Sequence, residues 1–312
     1  MPILQIIIPS YGRPADLERC LHAVLQQTMT DFEVLCICRS GDVLTRQCLS
    51  AFQHKDPRIK EVLVEKPGLV AAMNAGLLNA SARYVTFTDD DSEAPPHWLA
   101  TIVKHLESHA ECGVVGGQDR LQLDDEAVRN PAPVKNVGTY TWTAKYHATH
   151  HCPIREEYVK SSVLKGVNMT YRRELIEGLT IGDGLKGSGA QVGSEQSLAT
   201  CVLKQGKELH FVRDAWLVHH SAPRTENDDR LNMGSQFALD TTYNYAYIFL
   251  RYQPLSLAGV WIFRQLLIGS RLIPGILRLV RWPSKWRTTF HHIPFLLTGA
   301  FCGLRDRNKP SR

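Results

Sequence analysis

The sequence holds no CxxC pair: its eight cysteines, Cys20, Cys36, Cys38, Cys48, Cys112, Cys152, Cys201 and Cys302, are scattered singly. That spacing excludes a zinc ribbon and a disulfide framework and fits a reducing compartment. No run of about 20 apolar residues is free of charge, the length a membrane-crossing helix needs. The longest uncharged run, Thr288 to Leu304, is interrupted by His291, His292 and Pro294, so a transmembrane helix is not expected. GxGxxG does not follow the first strand-like run and GxxxxGK[ST] occurs nowhere, which excludes two common glycine-rich phosphate cradles. No basic segment or long apolar stretch precedes that first run. The sequence therefore predicts no secretory leader and a cytoplasmic location.

What is present describes a globular protein of 312 residues, 44% hydrophobic and 21% charged. A single domain usually takes roughly 100 to 200 residues, so a large α/β domain with an appendage is the expectation. The formal charge of +5 is unevenly placed: from Arg251 onward eleven Lys and Arg face one acidic residue, Asp306, a local charge of +10. The first 250 residues carry 25 basic and 30 acidic residues, a charge of −5. A mildly acidic body with a basic, apolar tail points to an anionic surface that the tail touches.

Apolar runs and helical periodicities alternate along the first third. Strands are expected at 4–8, 32–38, 59–64 and 84–88, with a short one at Val114-Val115; helices are expected near 17–25, 43–52, 70–78 and 97–106. Strands starting roughly 25 to 30 residues apart are spaced like βαβ units, which gives a largely parallel sheet. The stretch Tyr84 to Glu93 organises the rest, because its strand runs into Asp89, Asp90 and Asp91. Three adjacent carboxylates repel unless donors or a cation offset them. Beyond the carboxyl end of a strand, in an open α/β sheet, they suit a divalent metal facing a crevice; Asp91 or Ser92 also suits a helix cap, for which one Asp is enough.

The loop from Pro9 to Pro14 offers Tyr11 to stack on a base and Arg13 to reach a phosphate. Between Gln118 and Val163 the periodicity fades, and Asp124-Asp125-Glu126, Pro131 and Pro133 indicate an excursion over the sheet. His147, His150, His151 and Cys152 match no standard zinc spacing and read as loop residues. Gly182, Gly184, Gly187, Gly189 and Gly193 make a loop before a helix that opens with Ser194-Glu195. Glu195 there is either a favourable charge at the helix start or a general base. A later strand ends in His219-His220, surface residues or a supply of imidazole to the same cation.

Pro9-Ser10-Tyr11-Gly12-Arg13, Asp89-Asp90-Asp91, Gly166-Val167-Asn168-Met169, Glu195 at a helix start and Val218-His219 come in the order and approximate spacing of family 2 glycosyltransferases. The chain resembles that family over residues 3 to 225. The resemblance implies a GT-A fold, Rossmann-like, with a mostly parallel sheet flanked by helices. It implies transfer of a sugar, with inversion, from a nucleoside diphosphate donor to a hydroxyl of a lipid-linked or saccharide acceptor. Pro9, Tyr11, Arg13, Arg39, Asn74, Asp89, Asp90 and Asn168 would then hold the nucleotide-sugar. Asp91 with Asp89 and His219 would hold Mg²⁺ or Mn²⁺, and Glu195 would be the catalytic base. Trp98 reads as packing. Three positions depart from the family pattern: Cys38-Arg39-Ser40-Gly41-Asp42 lacks its usual acid, leaving Arg39 or Asp42 to read the base; Met73 replaces an Arg; and Ser194-Glu195 replaces an acidic pair. A sugar-1-phosphate nucleotidyltransferase would need a glycine-rich, Lys-bearing loop that Pro9 to Pro14 lacks. A non-catalytic module that binds a nucleotide-sugar would need no base at all.

A catalytic domain is expected over 1–240, its nucleotide half about 1–117 and its acceptor half about 118–240, followed by a helical basic tail over 241–312. Arg264, Arg271 and Arg278, seven apart, would form one stripe on a continuous helix, and Trp261, Trp282 and Trp286 suit a headgroup boundary. The expectation is an amphipathic tail on an anionic membrane surface, peripheral to its cytoplasmic face. A helical subdomain covering the sheet also accounts for the tail. No nucleic-acid motif accompanies the charge.

Overall fold

The computed structural model describes residues 1–122, 130–187, 191–220, 232, 234–270 and 273–309. Asp124-Asp125-Glu126, Gly189 and Arg271 lie outside them. Its first part alternates as the periodicity predicts: β1 (Leu4–Ser10), α1 (Pro14–Leu25), β2 (Phe32–Arg39), α2 (Val43–Gln53), β3 (Ile59–Val64), α3 (Leu69–Asn79) and β4 (Tyr84–Phe87). These strands pair in parallel in the order β3-β2-β1-β4. The isoleucine-rich β1 is buried on both faces. Leu4, Ile6 and Ile8 pack with Leu17 and Leu21 of α1, whereas Ile7 packs with Val70 and Met73 of α3. Such two-sided burial is why the strand reads as a continuous apolar run, and each side chain contributes about 1.5–3 kcal/mol.

The chain runs from β1 to β2 on one side and returns to β4 on the other. At that reversal the loops leaving the two carboxyl ends face each other, which is where open α/β sheets form their crevices.

The second part is β5 (Ser92–Glu93), α4 (Trp98–Ser108), β6 (Cys112–Leu121), β7 (Thr139–Tyr140), β8 (Tyr146–His147), β9 (Tyr158–Ser161), β10 (Met169–Arg172), α5 (Ser194–Lys204) and β11 (Glu208–His219). Strand β10 enters antiparallel between β4 and β6, and β11 continues parallel to β6. The excursion expected from Gln118 to Val163 is thus partly regular. Strand β6 runs well past Val114-Val115, because its stretch Gly113 to Asp119 is covered by neighbours on both sides and needs no simple hydrophobic pattern.

Gly117 shows how close that packing is. A Cβ there would stand 1.6 Å from the Ala215 carbonyl oxygen, opposite the irregularity between Val212 and Leu217 in β11. Gly117→Ala must therefore part β6 from β11. The expected loss of stability is more than about 2 kcal/mol, read as a lower urea midpoint; an unchanged midpoint would contradict this register.

The C-terminal part forms α6 (Gln236–Tyr252), α7 (Leu255–Leu267), a helical turn at Arg278–Arg281 and α8 (Trp286–Arg305). A boundary at residue 240 falls inside α6, which is buried along most of its length. Asn244 accepts from the Lys186 amide at 2.7 Å and donates to the Val192 carbonyl at 3.1 Å. His292 of α8 bonds to Thr242 at 2.6 Å. The single arginine stripe does not form: α7 ends at Leu267, so Arg264 and Arg278 stand on separate segments. Among the described residues no helix is long and apolar enough to cross a membrane.

Candidate active site

The loops after β1 and β4 are tied together by charge. Asp90 is fully buried, accepting from Ser10 Oγ at 2.7 Å and pairing with Arg13 at 2.7 Å. Burial pushes its carboxyl up to about 7 against the pull of Arg13 and the Ser10 bond. Arg13 also reaches Asp91 at 3.2 Å. From the other side, Asp42 caps α2 through the Thr45 amide at 3.3 Å and takes the Gly12 amide at 2.6 Å. Despite burial, those bonds hold Asp42 below its ordinary value.

Three of the predicted residues converge. Asp89, Asp91 and His219 bring one ligand atom each within 4.8 Å of one another. His219 reaches them because the short β5 pairs with the end of β11, setting Ser92 beside His219. Its Nε2 lies 3.3 Å from Asp91, and its Nδ1 lies 3.1 Å from Asp119. Burial lowers the imidazole, but the bonds to Asp119 and Asp91 outweigh it and hold His219 up to about 10. Asp119 is fully buried and also takes Lys165 Nζ. Burial would raise it, yet His219 and Lys165 bring it below its ordinary value. Asp89 is raised, by burial first and then by Asp91. Two carboxylates and one imidazole oriented by a further carboxylate make an oxygen-rich donor set that fits Mg²⁺ or Mn²⁺.

Two clefts that share Leu69 connect to this cluster, one through Arg13, which pairs with Asp91, and the other through Lys165, which pairs with Asp119. The first, about 240 Å³, is lined by Pro9, Tyr11, Arg13, Arg39 and Leu69. The Arg39 guanidinium lies 5.0 Å from the centre of the Tyr11 ring. Tyr11 itself is 60% exposed, a flat face free to stack. The second cleft, about 480 Å³, is lined by Tyr146, Lys165, Glu195 and Tyr245 together with Leu69. Glu195 stands in the first turn of α5, and burial pushes it up to about 7, with the Asp89 charge adding and the Gly166 amide and Lys165 opposing. A Cβ at Gly166 would lie 2.1 Å from Glu195 Oε1 and would turn that carboxylate aside.

Other predicted residues have different work. Asn168 is 1% exposed; its oxygen accepts from Trp98 Nε1 at 3.1 Å and its amide donates to Ala215 at 2.7 Å. Buried in this way, it joins α4 to β11. Asn74 gives its amide to the Ile181 carbonyl at 3.0 Å and accepts the Ile181 amide at 2.8 Å, so it fixes the start of the glycine-rich loop. Asp90 is closed off from any ligand and serves to hold Arg13. Trp98 packs in the core as expected, 1% exposed. His150 is buried and bonds to the Val163 carbonyl at 2.9 Å. Asp119 and Lys165 were not legible as site residues. An acid directly after Gly116-Gly117-Gln118 was the available signal, had β6 been extended to its true end.

The sequence model of Glycosyl transferase family 2 matches residues 5–179, more than half of the chain. Glycosyltransferase AglE of Haloferax volcanii is 27% identical over 181 residues, 57% of this chain and 55% of that protein. The GalNAc(5)-diNAcBac-PP-undecaprenol beta-1,3-glucosyltransferase of Campylobacter jejuni is 32% identical over 106 residues, 33% of this chain and 34% of that protein. The chain thus spans about half or less of the curated relatives it matches. Mannosyltransferase PcManGT of Pyrobaculum calidifontis, solved with GDP-Man and Mn²⁺, superposes with a TM-score of 0.57 at 16% identity, covering 98% of this chain and 87% of that one. Residues 1-349 of S. aureus TarS, solved with UDP-GlcNAc, give 0.63 at 13% identity over 95% and 81%. At those identities the likeness shows the fold, a GT-A arrangement. With the family match running from β1 through the acidic cluster to the glycine-rich loop, the chain belongs to glycosyltransferase family 2.

Proposed function

We propose that the chain is a metal-dependent, inverting glycosyltransferase that moves a sugar from a nucleoside diphosphate donor to an acceptor hydroxyl. The observation that carries this reading is the convergence of Asp89, Asp91 and His219, joined through Arg13 to a cleft with a stacking face and through Asp119 and Lys165 to the cleft containing Glu195. Tyr11 and Arg39 would grip the base, and Asp89 would also face the ribose. Asp89, Asp91 and His219 would hold Mg²⁺ or Mn²⁺, which neutralises charge on the departing diphosphate. Glu195 takes the acceptor hydroxyl's proton as its oxygen bonds to the anomeric carbon, while the carbon–oxygen bond to the diphosphate breaks and its electron pair leaves with the phosphate. Attack from the face opposite the leaving group inverts the centre.

Release of nucleoside diphosphate from a panel of nucleotide-sugars, with Mn²⁺ or with chelator, tests this. Metal-dependent release from at least one donor is the expected result, since water replaces a missing acceptor slowly. If no donor is turned over and none binds in a metal-dependent way, the reading is overturned.

The C-terminal segments support a site of action at a membrane, in the making of a surface polysaccharide or glycolipid on a lipid-linked or saccharide acceptor. Phe263, Val280, Trp282, Trp286, Phe290 and Phe301 are all exposed. Arginines lie over two of these rings, Arg278 and Arg281 at 5.1 Å from Trp282 and Arg287 at 5.4 Å from Trp286. Apolar side chains interleaved with cations are the composition of an interfacial surface. The tail would thus rest on the cytoplasmic face. Sedimentation with phosphatidylserine vesicles should show salt-sensitive binding. Arg281→Glu with Lys285→Glu should weaken it at least about tenfold, at about 1 kcal/mol for each cation near the surface. Equal binding to neutral vesicles would refute the electrostatic part.

A further inference from the structure

Beyond the Glu195 cleft lies a second chamber of about 390 Å³, within the roughly 300–1,000 Å³ of small-molecule sites. The two cavities share Tyr146 and Tyr245, so the chamber begins where the acceptor cleft ends. Its wall is aromatic: Phe249 stacks on Trp261 at 4.5 Å, and Tyr140 meets the edge of Phe249 at 5.1 Å. Phe249 and Trp261 are 1% and 4% exposed and back the wall, so the faces left for the C–H faces of a sugar ring are those of the partly exposed Tyr140, Tyr146 and Tyr245. Gln265, 4% exposed, lines the chamber, and its Oε1 has no hydrogen-bond partner among the described residues. A buried acceptor left unpaired costs about 1–3 kcal/mol, which a hydroxyl donor from a ligand would remove. Lys145 and Arg264 also line the chamber, and no carboxylate does among the described residues. Arg264 makes no ion pair among the described residues, so its charge is open to an incoming anion.

We infer that this chamber binds the acceptor one unit back from the hydroxyl that is glycosylated, gripping a sugar ring between Tyr140, Tyr146 and Tyr245 and a phosphate or carboxylate at Arg264. The inference rests on the transferase reading for its role in the reaction. The cations give it a preference that the aromatic wall alone would lack: neutral glycosides meet the same ring faces without the charged contact.

Tryptophan fluorescence titrations of the full chain test this with four probes: glucose 6-phosphate, glucuronic acid, farnesyl diphosphate and neutral methyl glucoside. UDP and GDP with Mn²⁺ are titrated alongside. At least one anionic probe should bind at least about tenfold more tightly than methyl glucoside, and Arg264→Ala should weaken it by about tenfold or more. Gln265→Leu should weaken the sugar-bearing probes and leave farnesyl diphosphate unchanged. Unchanged nucleotide binding shows that both variants are folded. Tightest binding of glucose 6-phosphate marks a sugar phosphate and of glucuronic acid an acidic sugar, whereas tightest binding of farnesyl diphosphate, which has no sugar ring, overturns the sugar-ring grip. Nucleotide binding without any anionic probe, or an anionic probe indifferent to Arg264→Ala, overturns the inference and leaves the transferase reading intact. An anionic probe bound through Arg264 with no nucleotide bound overturns the transferase reading and, with it, the chamber's role as an acceptor site.

Discussion

Glu195→Gln is expected to lower sugar transfer by about 10²–10⁴-fold, the range a positioned general base supplies, while the donor binds within a few-fold of the wild type. Gln keeps the length and shape of the side chain, so the amide of Gly166 still has an oxygen to meet. What it removes is the lone ability to accept a proton. The pH profile gives an independent sign. As a base Glu195 would act only as the carboxylate, and burial pushes its acid form up to about 7. The rate should therefore be low at acidic pH, rise through about pH 7 and level above it. A Glu at its ordinary value would already be ionised and show no rise there. Transfer that survives Glu195→Gln, or a rate flat between pH 5.5 and about 8, would remove Glu195 from the mechanism.

Much of this site is legible in the sequence, for a physical reason. The strands Leu4 to Ser10 and Tyr84 to Phe87 are buried on both faces, so they announce themselves as apolar runs. The groups that follow them stand at strand ends, where chemistry collects. Tyr11, Asp89 and Asp91 follow these two strands, and His219 ends β11, where it meets Asp89 and Asp91. Asn74 and Asn168 follow the family order just as well, yet their amides are committed to Ile181, Trp98 and Ala215. A sequence shows that an amide is present but not where its hydrogen bonds go. Asp119 is the converse case, a buried carboxylate beside His219 in a stretch whose periodicity is weak because both faces are covered. The arginine stripe failed on backbone continuity: a seven-residue spacing has meaning only along one helix, and α7 stops at Leu267.

Asp91→Asn should abolish metal-dependent release of nucleoside diphosphate, and the contrast with Asp119→Asn explains why the two carboxylates differ. Asp91 is one of the three groups whose ligand atoms converge, and it also steadies Arg13 at 3.2 Å and His219 at 3.3 Å. An amide of the same shape preserves packing but brings no charge to a hard cation. The expected loss of release is at least about 10³-fold, drawn from both the metal's charge on the leaving group and the weakened metal site. Asp119 instead touches the far nitrogen of His219 and the ammonium of Lys165. Removing its charge leaves the imidazole present but less firmly aimed, and partners of this kind cost about 10–100-fold in metal affinity. Excess Mn²⁺ should therefore restore much of the activity of Asp119→Asn and little of that of Asp91→Asn. A Mn²⁺ titration of nucleoside diphosphate release on both variants reads the difference directly. Equal rescue of the two would mean that Asp91 orients rather than binds, and that the cation, if one acts, is held elsewhere in the crevice.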